Sequence, residues 1–300
     1  MALFQTGPDR YQSDPDAFGN VDQKRIVKIV GVVALALPIV LWIASHNPIY
    51  ATCFRFSISH FYYAPFWGTF FTGTLFFIGT YLIVWQGEEK SRADGRMATR
   101  AGYSAFGVAL FPTGGWGCDE EMFSARPMAN FGLPAGDKFP DLIPPKVPPA
   151  EHLEFNANAY FSLDFQAPIL AWIQAEWIHY VSALFMFSFL AWFAVRIFTR
   201  VDPRHRLPGN QLTKRKSMRN TIYYFTGSMI ILCILALFVS FVLNLFPSLD
   251  MDERWDKANL TFWFEAIALV SFGLSWMVKG QVFQSLNDEF PAAHKGLVAD

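Results

Sequence analysis

The chain has 300 residues, of which 53% are apolar and only 16% are charged, whereas soluble domains carry about 25% charged residues. It contains 32 phenylalanines and 10 tryptophans, and a soluble protein of this composition would expose large apolar patches. The formal net charge of -1 supplies no field that would attract nucleic acid. The composition therefore argues against a soluble enzyme, a nucleic-acid-binding protein and a disordered regulator, and it predicts an all-α integral membrane protein.

Residues 1–26 precede the first long apolar run, and we predict that they form a cytoplasmic N-terminal segment. Residues 1–22 are polar and contain four aspartates, whereas a signal peptide has a basic start that leads directly into an apolar run. We therefore expect no cleaved signal peptide in this segment.

Runs of about 20 mostly apolar residues, the length at which a helix crosses a bilayer, recur along the chain. They predict six membrane-spanning helices, at 27–45, 66–86, 94–112, 172–197, 221–246 and 258–279. The third has an uninterrupted apolar stretch only over 101–112, so a re-entrant segment is the alternative there. The predicted organisation is helices 1–3 over 27–112, an outer loop over 113–170, helices 4–6 over 171–280 and a cytoplasmic tail over 281–300.

Two of the predicted helices differ in the side chains that they present. The third repeats small residues at helical spacing, and such residues let helix backbones approach closely in lipid. We therefore expect this helix at the centre of the bundle, packed through Ala98, Gly102, Ala105 and Ala109. The fourth is rich in phenylalanine, and we expect lipid to cover Phe185, Phe187, Phe189 and Phe193.

The charge of the connecting segments predicts how the helices are oriented. The segment 198–219 contains seven Lys or Arg against one Asp, and 87–100 is also basic. The segment 113–169 has three Lys or Arg against eight Asp or Glu. Because basic loops stay on the cytoplasmic side, this pattern predicts a multi-pass protein of the cell (inner) membrane with both termini in the cytoplasm.

The outer loop holds the largest stretch of chain outside the predicted helices. It contains eight prolines between 127 and 168, a density that favours extended structure over long helices. We expect a periplasmic, Pro-rich cap over the outer mouth of the bundle, and a mobile tether is the alternative. Cys53 and Cys118 both lie on this side, where an oxidising compartment permits a disulfide; two free, buried thiols are the alternative.

Polar residues inside membrane spans are costly and are therefore functional candidates. Glu176 and His179 share one face of the fourth predicted helix, and Glu265 lies in the outer part of the sixth. Four more polar residues lie between the first two helices: Ser57, Ser59, His60 and Tyr62. The predicted topology gathers all seven in one layer of the outer leaflet.

This layer contains the groups for several kinds of chemistry. A metal site would use His60, His179 and Glu265, with Glu176 nearby, and a metal-activated water would hydrolyse a lipid ester or amide. A nucleophilic site would use Ser57 or Ser59 with a histidine base, although the GxSxG motif of lipases is absent. A purely structural interpretation pairs Glu265 with His179 or Arg55. No cofactor is assigned by any of these patterns.

Binding without catalysis is the further alternative. A polar pocket with Phe and Trp walls suits a lipid headgroup, a quinone or a small amphiphile. Its binding residues would be Ser57, Ser59, Tyr62, Glu176, His179 and Glu265. An aromatic outer surface also suits an accessory subunit that packs against other proteins in a larger membrane complex.

Several short motifs follow each other in a characteristic order. They are Ser57-Ile58-Ser59…Tyr62-Tyr63, Gly73-Thr74-Leu75, Val108-Ala109-Leu110-Phe111-Pro112-Thr113, Ile178-His179…Ser182-Ala183 and Phe262-Trp263-Phe264-Glu265…Phe272-Gly273…Ser275-Trp276…Lys279-Gly280. In this order the chain resembles an uncharacterised bacterial family of six-span membrane proteins over residues 27–112 and 170–280. The family implies no settled activity. A small residue is expected at position 60, so the resemblance implies that His60 is incidental to the site.

A more distant similarity to ceramidase-like membrane hydrolases rests on the layered Ser, His and acid. The paired histidines of the last span of those enzymes have no counterpart in 258–279. The function hypothesis is therefore a non-catalytic binding protein or accessory subunit with an outer-leaflet polar site. The alternative is a membrane-embedded lipid hydrolase whose catalytic candidates are His179, Glu265, Ser57 and Ser59.

Overall fold

A computed structural model of the chain describes residues 23–47, 49, 52–85, 92–111, 113, 175–201, 211–244 and 251–287. Regular structure within these ranges is helical, with no strand among the elements. The α-helices are α1 (Gln23–Ser45), α2 (Pro65–Val84), α3 (Arg92–Leu110), α4 (Ala175–Trp192), α5 (Lys214–Asn244), α6 (Met251–Lys257) and α7 (Leu260–Lys279). Two short 3₁₀ helices, Ser59–Tyr63 and Gln284–Leu286, and a π-helical turn at Phe193–Ile197 complete the elements of the described residues.

Helices α1 and α7 run antiparallel to each other, and so do α3 and α4. Gly31 near the start of α1 meets Gly273 near the end of α7, and Asp94 at the start of α3 binds Arg200 just beyond α4. The bundle therefore has two ends. We call the end that contains Ser57, Ser59 and the last residue of α3 the serine end. The opposite end, with Arg200, Lys216 and Lys279, is the basic end.

Five of the helices in the described ranges are long and apolar enough to cross a membrane. They are found at Arg25–Ser45, Phe66–Val84, Trp177–Ile197, Lys214–Leu243 and Leu260–Lys279. For the described residues, this confirms a helical fold of membrane-protein character. The α3 helix, with 19 residues, is similar in length to α2 and α4, but it carries Asp94 and several arginines and is not among the five. The count of six spans stays a prediction, and the Pro-rich loop 113–170 lies outside the described residues except for Thr113.

Pairs of glycines bring two pairs of helices into backbone contact. A Cβ atom added at Gly273 would lie 2.7 Å from the carbonyl oxygen of Gly31, and one added at Gly102 would lie 2.5 Å from that of Gly79. No side chain fits at such distances, so glycine is required on both sides of each crossing. The small face predicted for the third helix is thus confirmed as a close-packed face.

The centre of the bundle is α7 and not α3, contrary to the prediction. The α7 helix is the most buried of the five apolar helices and packs against α1, α4, α5 and α6. In α3, one face is buried against α2 and α4, but Tyr103 on the other face is 62% exposed. Small residues let α3 pack tightly on one side, and tight packing on one side does not require a central position.

The end of α4 departs from regular α-helix. It continues directly into a π-helical turn at Phe193–Ile197, which buries Phe193, Ala194 and Ile197. The expectation that four phenylalanines face lipid is wrong for Phe187 and Phe193, which are buried, whereas Phe185 is exposed. The buried positions 186, 190, 193 and 197 recur at helical spacing on one face, which includes Phe193, and Phe187 lies beside that face.

Charged groups at the basic end bind other parts of the protein. Arg200 donates two hydrogen bonds to the buried carboxylate of Asp94. Lys216 donates to the carbonyl of Phe198 at 3.0 Å, and Arg219 donates to that of Leu286 at 2.6 Å. The core beneath them is aromatic and centres on Trp276, whose ring neighbours are Tyr81, Trp85, Phe193, Phe198 and Phe272.

Candidate functional site

The segment that links α1 to α2 is fixed to the start of α7. The first N–H groups of a helix have no partner within the helix, and that of Phe262 donates to the carbonyl of Phe56 at 2.7 Å. This contact sets Ser57, Ile58 and Ser59 beside Glu265, one turn further along α7. The carboxylate oxygen Oε2 of Glu265 accepts hydrogen bonds from Ser57 Oγ and from the Ile58 N–H, both at 2.7 Å.

The two serines form a chain of hydrogen bonds with one direction. Ser57 has a single hydroxyl hydrogen, and it points to Glu265. The Ser57 oxygen lies 2.7 Å from Ser59 Oγ and also accepts from the Ser59 N–H at 3.1 Å. Because the Ser57 hydrogen is already used, Ser59 must donate its own hydroxyl hydrogen to Ser57. The Ser59 oxygen is left with lone pairs only.

His179 is held by the end of α3. Its Nδ1 lies 2.6 Å from the carbonyl oxygen of Phe111, the first residue beyond α3, where carbonyls have no further helical partner. A carbonyl only accepts, so Nδ1 carries the hydrogen, and in the neutral ring Nε2 carries the lone pair. The Val108 carbonyl also interacts with the ring. The side chain is 3% exposed, so its orientation is fixed by its surroundings.

These groups meet in a small cavity of about 30 Å³ between α1, α2, α3, α4 and α7. Three polar side chains reach it, namely Ser59, His179 and Glu265. The rest of the wall is apolar: Leu37, Ile58, Phe71, Leu75, Val108, Ala183, Met186, Phe187 and Leu269. A cavity of this size holds about two water molecules. It therefore admits a small polar group and no bulky ring.

His60 lies next to this site without lining the cavity. Burial lowers the pKa of His60 to about 3, and the nearby Arg55 and His179 lower it further in the same direction. The imidazole is therefore uncharged at neutral pH. Arg55 is buried, with its guanidinium 5.7 Å from the centre of the Phe61 ring.

The structure brings together Ser57, Ser59, His179 and Glu265, whereas their location in the outer leaflet stays a prediction. Tyr62 is buried in the hydrophobic core and does not line the cavity. The side chain of Glu176 lies outside the described residues. The pairing of Glu265 with His179 or Arg55 is not what the structure shows, because Glu265 binds Ser57 and Ile58 instead.

Two contributors to the site escaped the sequence analysis. They are the Ile58 amide and the Phe111 carbonyl, which orient Glu265 and His179. Both are main-chain groups, and every residue except proline carries the same ones. Their position at the ends of helical segments was the only signal for them.

The metal and disulfide predictions have separate outcomes. Among the described residues, no three His, Cys, Asp or Glu side chains are grouped so that they would hold a metal ion. Cys53 is disulfide-bonded, whereas Cys118 lies outside the described residues, so their pairing stays a prediction. Cys233 is a free, buried thiol.

The fold and the site together define a helical bundle of membrane-protein character with a small polar cavity near its serine end. No protein-family model matches the chain, and neither a curated protein nor a solved structure matches it significantly. The resemblance to a six-span bacterial family therefore stays a prediction, and the function has to be argued from the site itself.

Proposed function

We propose that this chain is a non-catalytic protein of the bacterial inner membrane, either a binding protein or an accessory subunit of a larger membrane complex. Both termini lie in the cytoplasm, and the serine end lies in the outer leaflet. The distribution of charge supports this orientation, because the basic segments 87–100 and 198–219 both adjoin the basic end. In this orientation the cavity opens a polar site within the outer half of the membrane.

One observation carries the proposal: three polar side chains of helices and linker converge on a cavity with otherwise apolar walls. Polar groups in a membrane interior are costly and persist where they bind something. Apolar walls with a few placed polar groups are typical of small-molecule sites. The volume of about 30 Å³ fits the polar tip of a lipid or small amphiphile, whose apolar part would remain among helices and lipid chains.

The second candidate is a membrane-embedded lipid hydrolase, and the position of Ser59 beside His179 in the cavity favours it. An activated serine donates its hydrogen to a base. Here the Ser59 hydroxyl donates to Ser57 and not to a histidine nitrogen. This arrangement favours a structural serine, so hydrolysis ranks second.

Native mass spectrometry after gentle detergent extraction tests the proposal. We expect the wild-type protein to retain a specific lipid or amphiphile, and an Ala183→Leu variant to lose it because the new side chain fills the cavity. A large assembly without a retained ligand would favour the accessory subunit. Lipid turnover that disappears in a folded His179→Ala variant would instead establish the hydrolase.

A further inference from the structure

The hydrogen bonds of the cavity determine what kind of group it recognises. The hydrogen of Ser59 is used on Ser57, and the Nδ1 hydrogen of His179 is used on Phe111. Glu265 as a carboxylate has no hydrogen to give. All three polar side chains therefore offer lone pairs to the cavity and no hydrogen. A ligand satisfies them only if it supplies several N–H or O–H groups.

The charge of Glu265 further limits the kind of ligand that the cavity can bind. Within the described residues its Oε2 accepts two hydrogen bonds, its Oε1 accepts none, and no cation forms an ion pair with it. A partly buried carboxylate without a counter-ion is unfavourable within a membrane span. Arg55 binds other groups and does not line the cavity. A cationic ligand would supply both the missing charge and the missing hydrogens.

The size of the cavity limits the cation. A volume of about 30 Å³ holds about two water molecules, which matches an ammonium and the methylene attached to it. A trimethylammonium group is larger and has no N–H. The apolar wall formed by Leu37, Phe71 and Leu269 suits the methylene.

We propose that the cavity binds a primary ammonium, so that the ligand is an amphiphile with a –CH2–NH3⁺ head, either an ethanolamine phospholipid or a long-chain amine. The ammonium donates to Glu265 Oε1, to His179 Nε2 and to Ser59 Oγ. This inference rests on the proposed function, and it adds the chemical class of the ligand to it.

A series of lipids that differ only in methylation of the head amine tests the inference on the wild-type protein. The protein is equilibrated with equal amounts of phosphatidylethanolamine, its N,N-dimethyl derivative, phosphatidylcholine and phosphatidylglycerol of identical acyl chains. Bound lipid is then counted by native mass spectrometry. We expect at least about tenfold enrichment of phosphatidylethanolamine over phosphatidylcholine, equal to about 1.4 kcal/mol, with the dimethyl lipid between them. Dodecylamine, offered in competition, distinguishes the two sources: displacement of the lipid by dodecylamine favours a long-chain amine.

Two variants locate the preference in the cavity. Glu265→Gln removes the charge at nearly constant size, and we expect it to abolish the enrichment. Ser271→Ala changes a buried serine of the same helix outside the cavity and should retain it. Because the methylation series needs no variant, the inference stays testable even if Glu265→Gln fails to fold.

The outcomes separate the two proposals. Enrichment of phosphatidylcholine or phosphatidylglycerol over the primary amine would overturn the ammonium inference while leaving lipid binding intact. If the wild-type protein enriches none of the four lipids and does not bind dodecylamine, the proposed binding function fails as well.

Discussion

Helices α1 and α7 are in backbone contact at one level of the bundle and line a cavity at the next level. At the level of the glycines, α1 meets α7 through Gly31 and Gly273 with no room for a side chain. One to two turns toward the serine end, Leu37 of α1 and Leu269 of α7 both line the cavity. Side-chain size thus decides where the bundle is closed and where it is open.

The charged groups at the two ends of the bundle also differ, in how far their hydrogen bonds are made within the protein. At the basic end, Asp94, Lys216 and Arg219 are bound to arginine or to backbone carbonyls. At the serine end, Glu265 has an oxygen that binds nothing among the described residues. Polar groups with all their bonds made stabilise a fold, whereas those with bonds left over are available to a ligand. The variants below test this difference.

The largest effect is expected from Gly273→Val. The new side chain would meet backbone atoms of α1 at 2.7 to 2.8 Å, so the two helices must separate. We expect a loss of about 3 kcal/mol or more in the free energy of unfolding, measured by circular dichroism in detergent with increasing SDS. Gly73→Val is the matched control, because a Cβ atom there has no neighbour within 4 Å. Equal stability of the two variants would contradict the backbone contact between α1 and α7 at Gly31 and Gly273.

Asp94→Asn should have the next largest effect. It removes the charge that receives two hydrogen bonds from Arg200, whose side chain is 47% exposed and regains water. We expect a loss of about 2 kcal/mol in stability and unchanged ligand binding. In an Arg200→Gln background the same change should cost much less, and an undiminished cost would show that the ion pair is not the cause.

Ser57→Ala should lower both stability and binding. It removes one of two donors to Glu265 Oε2 and the acceptor of the Ser59 hydroxyl. We expect a loss of about 1 kcal/mol in stability, together with weaker ligand retention because the carboxylate is less well oriented. Ser240→Ala, a buried serine of α5 outside the cavity, serves as the control. Full ligand retention by the Ser57→Ala variant would show that the two serines do not contribute to ligand binding.

Ala183→Val should change stability least. The added methyl groups enter the cavity without meeting a close-packed wall, so we expect a change within about 0.5 kcal/mol, or a slight gain. Ligand retention should nevertheless fall, because the space is occupied. Ser188→Val, on the exposed face of the same helix, controls for the β-branched side chain. Unimpaired binding in Ala183→Val would place the ligand elsewhere.

Helices were predictable from the sequence because apolar runs of membrane length are unmistakable. The ends of the helices were less predictable than their existence. For example, α5 begins at Lys214, seven residues before the predicted start at 221. Lysine and arginine are good helix formers, but they lower hydropathy, so an apolar window misses the first turns. The central position of α7 was missed because nearly uniform apolar helices carry little information about which face is buried.

The sequence predicted which residues lie at the same height in the bundle, but not which of their side chains point into the cavity. Ser57, Ser59, His179 and Glu265 lie together because few polar groups are tolerated in a membrane and those few gather inside the bundle. Tyr62 belongs to the same layer but is buried in the core. The layer gives no information on rotation about the bundle axis, which depends on packing between distant segments.

The π-helical turn at Phe193–Ile197 links the length of α4 to the ion pair at the basic end. A π turn holds one residue more than the α-helical turn that it replaces. Removing one residue from it would restore a regular α-helix without rotating the residues that follow, because the wider turn already accommodates that residue as an extra one. The same deletion in the regular part of α4 would rotate every following residue by about 100° and turn Arg200 away from Asp94. The chain should therefore tolerate the loss of one residue in the π turn better than the same loss one turn earlier in α4.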